Sequence, residues 1–375
     1  MLSLASNISC NQALCSNLSV DLDGVDDKIN CGPSNDVIAN GASEASAMYW
    51  IKTTDTDNNY VFSIKRSATS SAFSSAIQGN KIRGVIFDGS SFNFPTSTTD
   101  INDGSWHHVA ITGKASSQKI YVDGSLEATT TGSFSMATSS DPFLIGDHNN
   151  SHFIDGAIRE LAVFNTELDL ANVQAAYSNG SPIDLTIDQG NYSSSSNLTA
   201  YYKMGNGLHD DILNGAIHDQ DNPGFGSNLV TWDGSTTSDW SVASLQTTLS
   251  ANSGRLRATA TQSSGNYGVS QSFTTVVNEV YRVDYNINVD NGSGGAGDFK
   301  VATNSGLFTD DEILSSSTEI GVSYFTATAT TTHIGLLDIA NDSSNYLELE
   351  SISVKKINGN PGLTSGGPRF IDDSP

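Results

Sequence analysis

Short apolar runs recur roughly every 8–12 residues along most of this chain, separated by Asp-Gly, Asn-Gly and Ser-rich turns. A run that short cannot make three helical turns, yet it is the usual length of a strand. Between Arg282 and Val289, Val283, Tyr285, Ile287 and Val289 alternate with Arg282, Asp284, Asn286 and Asn288, a period of two with one wet face. The same reading gives strands at Ala47–Lys52, Tyr60–Ile64, Lys81–Phe87, Trp106–Thr112, Lys119–Val122, Pro142–Ile145 and Ala157–Phe164. Further along it gives Arg255–Thr261, Tyr267–Phe273, Val280–Val289, Phe299–Ala302, Tyr324–Thr330, His333–Ile339 and Tyr346–Val354. Val122-Asp123-Gly124-Ser125 reads as a tight hairpin, because Asp-Gly supplies the positive φ angles of a primed two-residue turn.

Composition agrees with strands. Helical surfaces draw on Glu, Lys, Gln and Arg, but only 15% of these residues are charged, and small polar residues fill the gaps with 34 Gly. One helix stands out at Leu168–Tyr177, with Leu170, Val173 and Ala176 on one face and Thr166 as N-cap. The fold class expected is therefore all-β. A length of 375 residues predicts two domains.

Charge and cysteines narrow the function. The chain carries 17 basic and 41 acidic side chains, net −24, which argues against nucleic acid and against an anionic membrane surface as partners. No stretch approaches 18 apolar residues, so no membrane insertion is expected. The start, MLSLASNISCNQALCS, lacks a basic n-region and a sustained apolar core, and predicts synthesis and retention in a cytoplasm. Cys10, Cys15 and Cys31 lie at one end, either as a Cys10–Cys15 bridge with one thiol left over or as free thiols.

Composition shifts divide the chain into an N-terminal arm (1–19), a first sandwich (20–177), a polar connector (178–227) that is expected to lie against the first sandwich through Tyr201, Tyr202 and Met204, a second sandwich (228–357) and a Gly- and Pro-rich tail (358–375). The arm carries no charge and holds Leu2, Leu4, Ile8, Leu14 and Leu18. It is either a docking or oligomerisation element or an edge strand on its own domain.

Motifs in the first sandwich occur in a telling order. Leu22-Asp23-Gly24-Val25-Asp26-Asp27 is followed by Ala47-Met48-Tyr49-Trp50-Ile51-Lys52 and Gly104-Ser105-Trp106-His107-His108-Val109-Ala110. Then come Ile120-Tyr121-Val122-Asp123-Gly124, Phe143-Leu144-Ile145-Gly146 and Gly156-Ala157-Ile158-Arg159-Glu160-Leu161-Ala162-Val163-Phe164-Asn165. This series resembles the laminin-G/concanavalin-like lectin sandwich. The resemblance implies two packed antiparallel sheets, with a rim that in some members binds calcium and a glycan or protein partner. Asp23, Asp26, Asp27 and Asp155 are the acidic candidates for that metal, although such residues also form turns and Arg159 stands where the family has an acid. His107 is expected buried and hydrogen-bonded beside Val109 and Ile111, with no carboxylate at a useful spacing, and Trp106 is expected in packing. No Glu-x-Asp-x-x-Glu pair suited to glycoside hydrolysis occurs, and Glu167-Leu168-Asp169 falls at a helix start, so no enzyme is expected.

The second sandwich opens on Asn228-Leu229-Val230-Thr231-Trp232-Asp233-Gly234, contains Trp240, and closes on Tyr346-Leu347-Glu348-Leu349-Glu350-Ser351-Ile352-Ser353-Val354. It is similar to a carbohydrate-binding jelly roll, with Glu350-Ser351 where that family has Asp-Asn. The resemblance implies that Trp232, Trp240, Tyr267, Tyr324 and Tyr346 are candidates for stacking on sugar rings, the alternative for each being a place in the core. The whole order resembles bacteriophage virion proteins of the head-decoration or tail-fibre kind. That implies other virion proteins as partners, a homo-oligomer, a virion location and a host-surface glycan as ligand. The competing classes are a bacterial surface or secreted glycan-binding protein and an accessory chain of a glycan-active enzyme.

Overall fold

A computed structural model of the chain describes residues 18–87, 90–132, 134–205, 210, 216–217, 220, 224–232, 237–242, 247–261, 268–290, 298–303, 312–315, 319–337 and 346–372. Met1–Asn17, most of the expected arm, lies outside them, as do Cys10 and Cys15; Cys31 is buried and in no disulfide among the described residues. The fold is all-β, built of antiparallel sheets. It divides into two compact units, residues 1–224 with 359–375, and residues 225–358.

The first unit is a sandwich of two eight-stranded sheets. One runs Ser125–Thr130, Ser117–Val122, Trp106–Lys114, Glu44–Thr53, Asp155–Phe164, Leu18–Asp23 and Arg369–Asp372. Leu198–Tyr202 pairs beside Leu18–Asp23 on the same edge of the Asp155–Phe164 strand. The other runs Ala216–Ile217, Gly362–Ser365, Lys28–Pro33, Pro142–Ile145, Tyr60–Ser67, Ser70–Gln78, Lys81–Phe87 and Phe92–Asn93. Between them lies one core, including Tyr49, Phe62, Phe73, Val109, Ile111 and Phe143. The Asp123-Gly124 turn has both φ angles positive (48° and 74°), as its sequence demands.

Three expectations need correction. First, the helix is Leu170–Tyr177, and its N-cap is Asp169, not Thr166. The Asp169 carboxylate accepts from the Asn172 backbone N–H at 2.9 Å, while the Thr166 hydroxyl is turned to Glu44. Val173 and Ala176 face inward, whereas Leu170 stays 44% exposed. Second, residues 178–227 do lie against the first unit, but they add a strand and a core to it rather than only connecting. Leu185, Tyr192, Leu198 and Tyr201 join the helix in a second core over the outer face of the first sheet, against Ala162 and Phe164. Third, the tail is part of the first unit, since Gly362–Ser365 pairs with Lys28–Pro33 and Arg369–Asp372 pairs with Leu18–Asp23. The Leu18–Asp23 strand also takes the last residues assigned to the arm. The glycines that read as tail are packing and turn residues. A Cβ on Gly362 would lie 2.5 Å from the Ile29 side chain, and Gly366, at φ +95°, turns the chain over Asp26 and Asp27.

The second unit is a sandwich with its own core of Val230, Trp240, Leu256, Val283, Phe325 and Leu349, among others. One sheet runs Thr247–Asn252, Arg255–Ala260, Tyr346–Ile357, Val280–Asp290 and Glu319–Thr326, with Phe225–Thr231 also on the Tyr346–Ile357 strand. The other runs Ser241–Val242, Gly268–Thr274, Thr331–Leu337, Asp298–Ala302 and Glu312–Ser315. Strands next to each other in sequence mostly alternate between the sheets, which is how a jelly roll is wound. Val283, Tyr285 and Ile287 are buried as the period of two requires. The strand expected at Tyr324–Thr330 starts and ends earlier, at Glu319–Thr326.

Candidate functional site

The second unit's first sheet has one wet face. On it, the hairpin of Thr247–Asn252 and Arg255–Ala260 meets the Tyr346–Ile357 strand in a groove of about 710 Å³. Alternation sets its lining. Leu256 and Leu349 pair and point to the core, which sends Arg255, Arg257, Tyr346, Glu348 and Glu350 outward. Arg257 lies directly opposite Glu348, its guanidinium 3.8 Å from the centre of the Tyr346 ring. Glu348 is the hub. It accepts from Arg257 at 2.6 Å, from Asn252 at 3.2 Å and from Arg255 at 3.3 Å, while Arg255 also reaches Glu350 at 3.0 Å.

Of the five aromatic candidates, the structure brings one into this groove, Tyr346. Trp232 braces its turn from behind, donating Nε1–H to the Gly254 carbonyl at 3.0 Å. Trp240 is buried in the core, whereas Tyr324 points to the other side of its strand, because the next residue, Phe325, takes the core; it lies opposite Arg282, is covered there and does not line the groove. Tyr267 lies outside the described residues. Arg257, Glu348 and Asn252 were not foreseen. The readable signal was the complementary alternation of Arg255-Leu256-Arg257 with Glu348-Leu349-Glu350 on two facing strands.

That second triplet places two carboxylates, Glu348 and Glu350, on one strand face at i, i+2, a pair outside the Glu-x-Asp-x-x-Glu pattern. They are not arranged for glycoside hydrolysis, which needs one acid held protonated near neutral pH. Burial would raise the Glu348 pKa, but hydrogen bonds from Arg257 and Asn252 and the Arg257 charge outweigh it and hold the carboxyl below its ordinary range. The Arg255 guanidinium bridges the two. The groove offers an aromatic face, two stacked or paired cations, carboxylates and an amide: donors and acceptors fixed in place, with no free acid-base pair.

The acidic rim belongs to the first unit. Asp23, Asp26 and Asp27 each offer an oxygen within 4.8 Å of the others. Asp23 Oδ1 accepts from the Val25 N–H at 2.9 Å, and Asp27 Oδ2 from the Asp23 N–H at 3.0 Å, so both serve as turn formers. Asp155 faces Asp23 across the strand pair but is not within that group. Burial, then neighbouring carboxylates, push the Asp27 and Asp155 pKa values up. Clustered carboxylates that each keep an oxygen clear of the turn fit a hard divalent cation such as calcium, whose charge would relieve their repulsion.

Elsewhere the first unit buries its polar groups structurally. His107 is buried as expected, but two carboxylates do reach it, Asp123 at 2.8 Å and Asp103 at 3.3 Å, and the Asp123 hydrogen bond raises its pKa. Sequence spacing hid Asp123, which arrives by way of the hairpin. His108 packs against Trp50 and Tyr177, and burial lowers its pKa to about 4. Arg159, where the family has an acid, lies over the Trp106 ring at 4.3 Å. Glu160 sits at φ +54°, in a bulge of its strand, and accepts from the Tyr201 hydroxyl; burial lifts its pKa to about 7.

Residues 23–174 match the profile of a laminin G family described as the concanavalin A-like lectin/glucanases superfamily. The first unit thus has the lectin-like sandwich its motifs implied. No curated protein matches the sequence closely enough to count as a relative. Among solved structures, the chain is similar to a putative carbohydrate-binding protein from Bacteroides ovatus (16% identity, 54% of this chain and 55% of that one, TM-score 0.39). It is also similar to a heptameric SAP-like pentraxin from Limulus polyphemus (15%, 44% and 84%, TM-score 0.36). A third is the sialidase carbohydrate-binding module of Ruminococcus gnavus, bound to α2,3-sialyllactose (14%, 42% and 95%, TM-score 0.35).

Proposed function

We propose that this chain is a non-catalytic glycan-binding protein, with the Tyr346 groove as a sugar site. The observation that carries the reading is the groove itself. An aromatic ring is backed by a stacked guanidinium and ringed by Arg255, Glu350 and Asn252, which suits the apolar face and hydroxyl rim of a sugar. Glu348, with its pKa held down, supports binding rather than hydrolysis. The Asp23, Asp26 and Asp27 rim would hold calcium as a structural ion of the first unit.

The setting we propose is a bacteriophage particle, where the chain would stand as a homo-oligomer on capsid or tail and meet host-surface glycan. The strong acidity suits a protein kept apart from its neighbours on a crowded particle. A bacterial surface or secreted carbohydrate-binding protein fits the same groove equally well, and an accessory chain of a glycan-active enzyme is a further setting. A glycan array tests the binding, and Tyr346→Ala tests the site: at least about a tenfold loss is expected for the truncated ring. A wild-type chain that binds no glycan, or a variant that binds as well, would overturn it. Antibody labelling of purified particles decides the setting.

A further inference from the structure

The first unit carries a second aromatic surface, on the opposite side of its Lys81–Phe87 strand from the core. Ile82 and Ile86 point into the core, so Arg83, Val85 and Phe87 point out. Phe92 and Phe94, on and just beyond the edge strand, are 38% and 47% exposed and stack with ring centres 6.2 Å apart. Phe87 continues the row, 5.2 Å from Phe92. Two arginines finish it. The Arg66 guanidinium lies 3.9 Å from the centre of Phe87 and 5.6 Å from that of Phe92, and Arg83 lies 5.0 Å from that of Phe94.

These cations are unusual for this chain, which has 41 acidic side chains to 17 basic ones. Among the described residues neither is paired with a carboxylate. Arg83 donates from its Nη1 and Nη2 to the amide oxygens of Gln78 and Asn58, at 2.8 and 3.0 Å, and lies beside the Tyr60 hydroxyl, while the Nε of both arginines is buried without an acceptor. A guanidinium stacked on a ring keeps its edge for planar, bidentate contact with an anion. Exposed ring faces next to guanidinium groups that no described carboxylate neutralises suit a sugar ring bearing a carboxylate.

We propose that this Phe92–Phe94 face binds acidic polysaccharide, with the phenylalanines stacking on sugar rings and Arg83 and Arg66 meeting the carboxylates. The surface is independent of the Tyr346 groove and stands or falls separately. The test is affinity electrophoresis of the full chain in polygalacturonate, polysialic acid, methyl-esterified polygalacturonate and dextran. Retardation is expected in at least one acidic polymer, and about tenfold less in the ester or dextran. It should weaken as salt rises. The double variant Phe92→Ala/Phe94→Ala should lose at least about tenfold in affinity while the unit's thermal transition stays in place. Arg83→Gln should remove the preference for acid over ester. Tyr346→Ala should leave acidic binding intact, which separates this surface from the groove. Failure to bind either acidic polymer, equal binding of acid and ester, or undiminished binding by the double variant would overturn the proposal. So would sedimentation showing that the phenylalanines hold two copies of the chain together.

Discussion

The two units are both antiparallel sandwiches, yet they treat the outside of a sheet in opposite ways. In the first, the helix and residues 183–201 cover the outer face of one sheet, so its strands are buried on both sides. Charged groups are carried inside with them, among them Arg159 and Glu160. In the second, the sheet that bears the groove keeps one face wet, and the charges on that face are paired across it, the buried Glu348 with a partly exposed Arg257 and Arg282 with Asp284. A covered face gives stability to its own unit and little access. A wet face leaves Tyr346 and its neighbours available to a ligand.

The largest expected effect tests the return of the chain to the first unit. Deleting Gly359–Pro375 removes a strand from each of its sheets, Gly362–Ser365 and Arg369–Asp372. The loss should be comparable with the stability of an ordinary domain, about 5–15 kcal/mol. Calorimetry should show the first unit's transition vanish while that of the second, with its separate core, persists. Survival of both transitions would show that the C-terminal strands are dispensable.

This contrast also explains what could be read in the sequence. The Arg282–Val289 alternation was legible because a half-wet strand writes its burial into a period of two. The Asp123-Gly124 turn was legible because only a few residues tolerate its φ angles. For residues 178–227 the apolar Tyr201, Tyr202 and Met204 showed that the segment lies against the first unit, but its share in a second core was not legible, because Leu185 and Tyr192 are spaced by the surface they cover rather than by a helix or strand period. The C-terminal strands were hidden by glycine, which marks a turn and a close approach equally well. At the groove, the aromatic ring was found from its resemblance. Its partners went unread, because the Arg257–Glu348 pairing depends on which strands meet, and 90 residues of chain intervene.

The covered face should also give the first unit a pH dependence near neutrality, through Glu160. Glu160 has a folded pKa of about 7 against an ordinary 4.5, so the folded state holds the proton more tightly. Its contribution is present below pH 4.5 and is lost as pH rises to about 7, roughly 3 kcal/mol in all. His108, held at about 4, acts in the opposite sense, losing stability as pH falls below 6.5. His148, also about 4, does the same. The clean readout is therefore the difference between the wild type and Glu160→Gln, measured on the first transition. That variant should gain on the wild type from pH 5 to pH 7.5. A constant difference would mean that Glu160 titrates normally.

A smaller effect is expected on the wet face. Arg257→Ala leaves Glu348 with Arg255 and Asn252 only, and should cost the second unit about 1–3 kcal/mol. The depressed Glu348 pKa gives stability above about pH 4.5 that is lost on acidification, so the variant should flatten the acid limb of the second transition alone. Glycan affinity should fall with it, because the Tyr346 ring loses the cation stacked on it. A variant that loses stability yet binds as before would move the sugar away from Arg257.

The smallest expected effect is the binding of calcium, and it separates the units by the chemistry of their acids. Acids of the second unit's groove, Glu348 and Glu350, already have arginine partners, whereas Asp23, Asp26 and Asp27 crowd one another with none among the described ion pairs. Calcium should therefore raise the first transition only. At ten times the dissociation constant the gain is about 1.4 kcal/mol, a shift of a few degrees for a unit of this size. The shift should shrink as pH falls, since a proton on Asp27 or Asp155, whose pKa values are raised, competes with the ion. Asp27→Asn keeps an oxygen for the Asp23 N–H and removes one negative charge from the cluster. Without calcium it should match or exceed the wild type in stability, and with calcium it should show little further gain. Opposite signs in the two conditions would establish an ion site. A variant that is equally destabilised in both would reduce these aspartates to turn formers, and the rim would then differ from the groove in geometry alone.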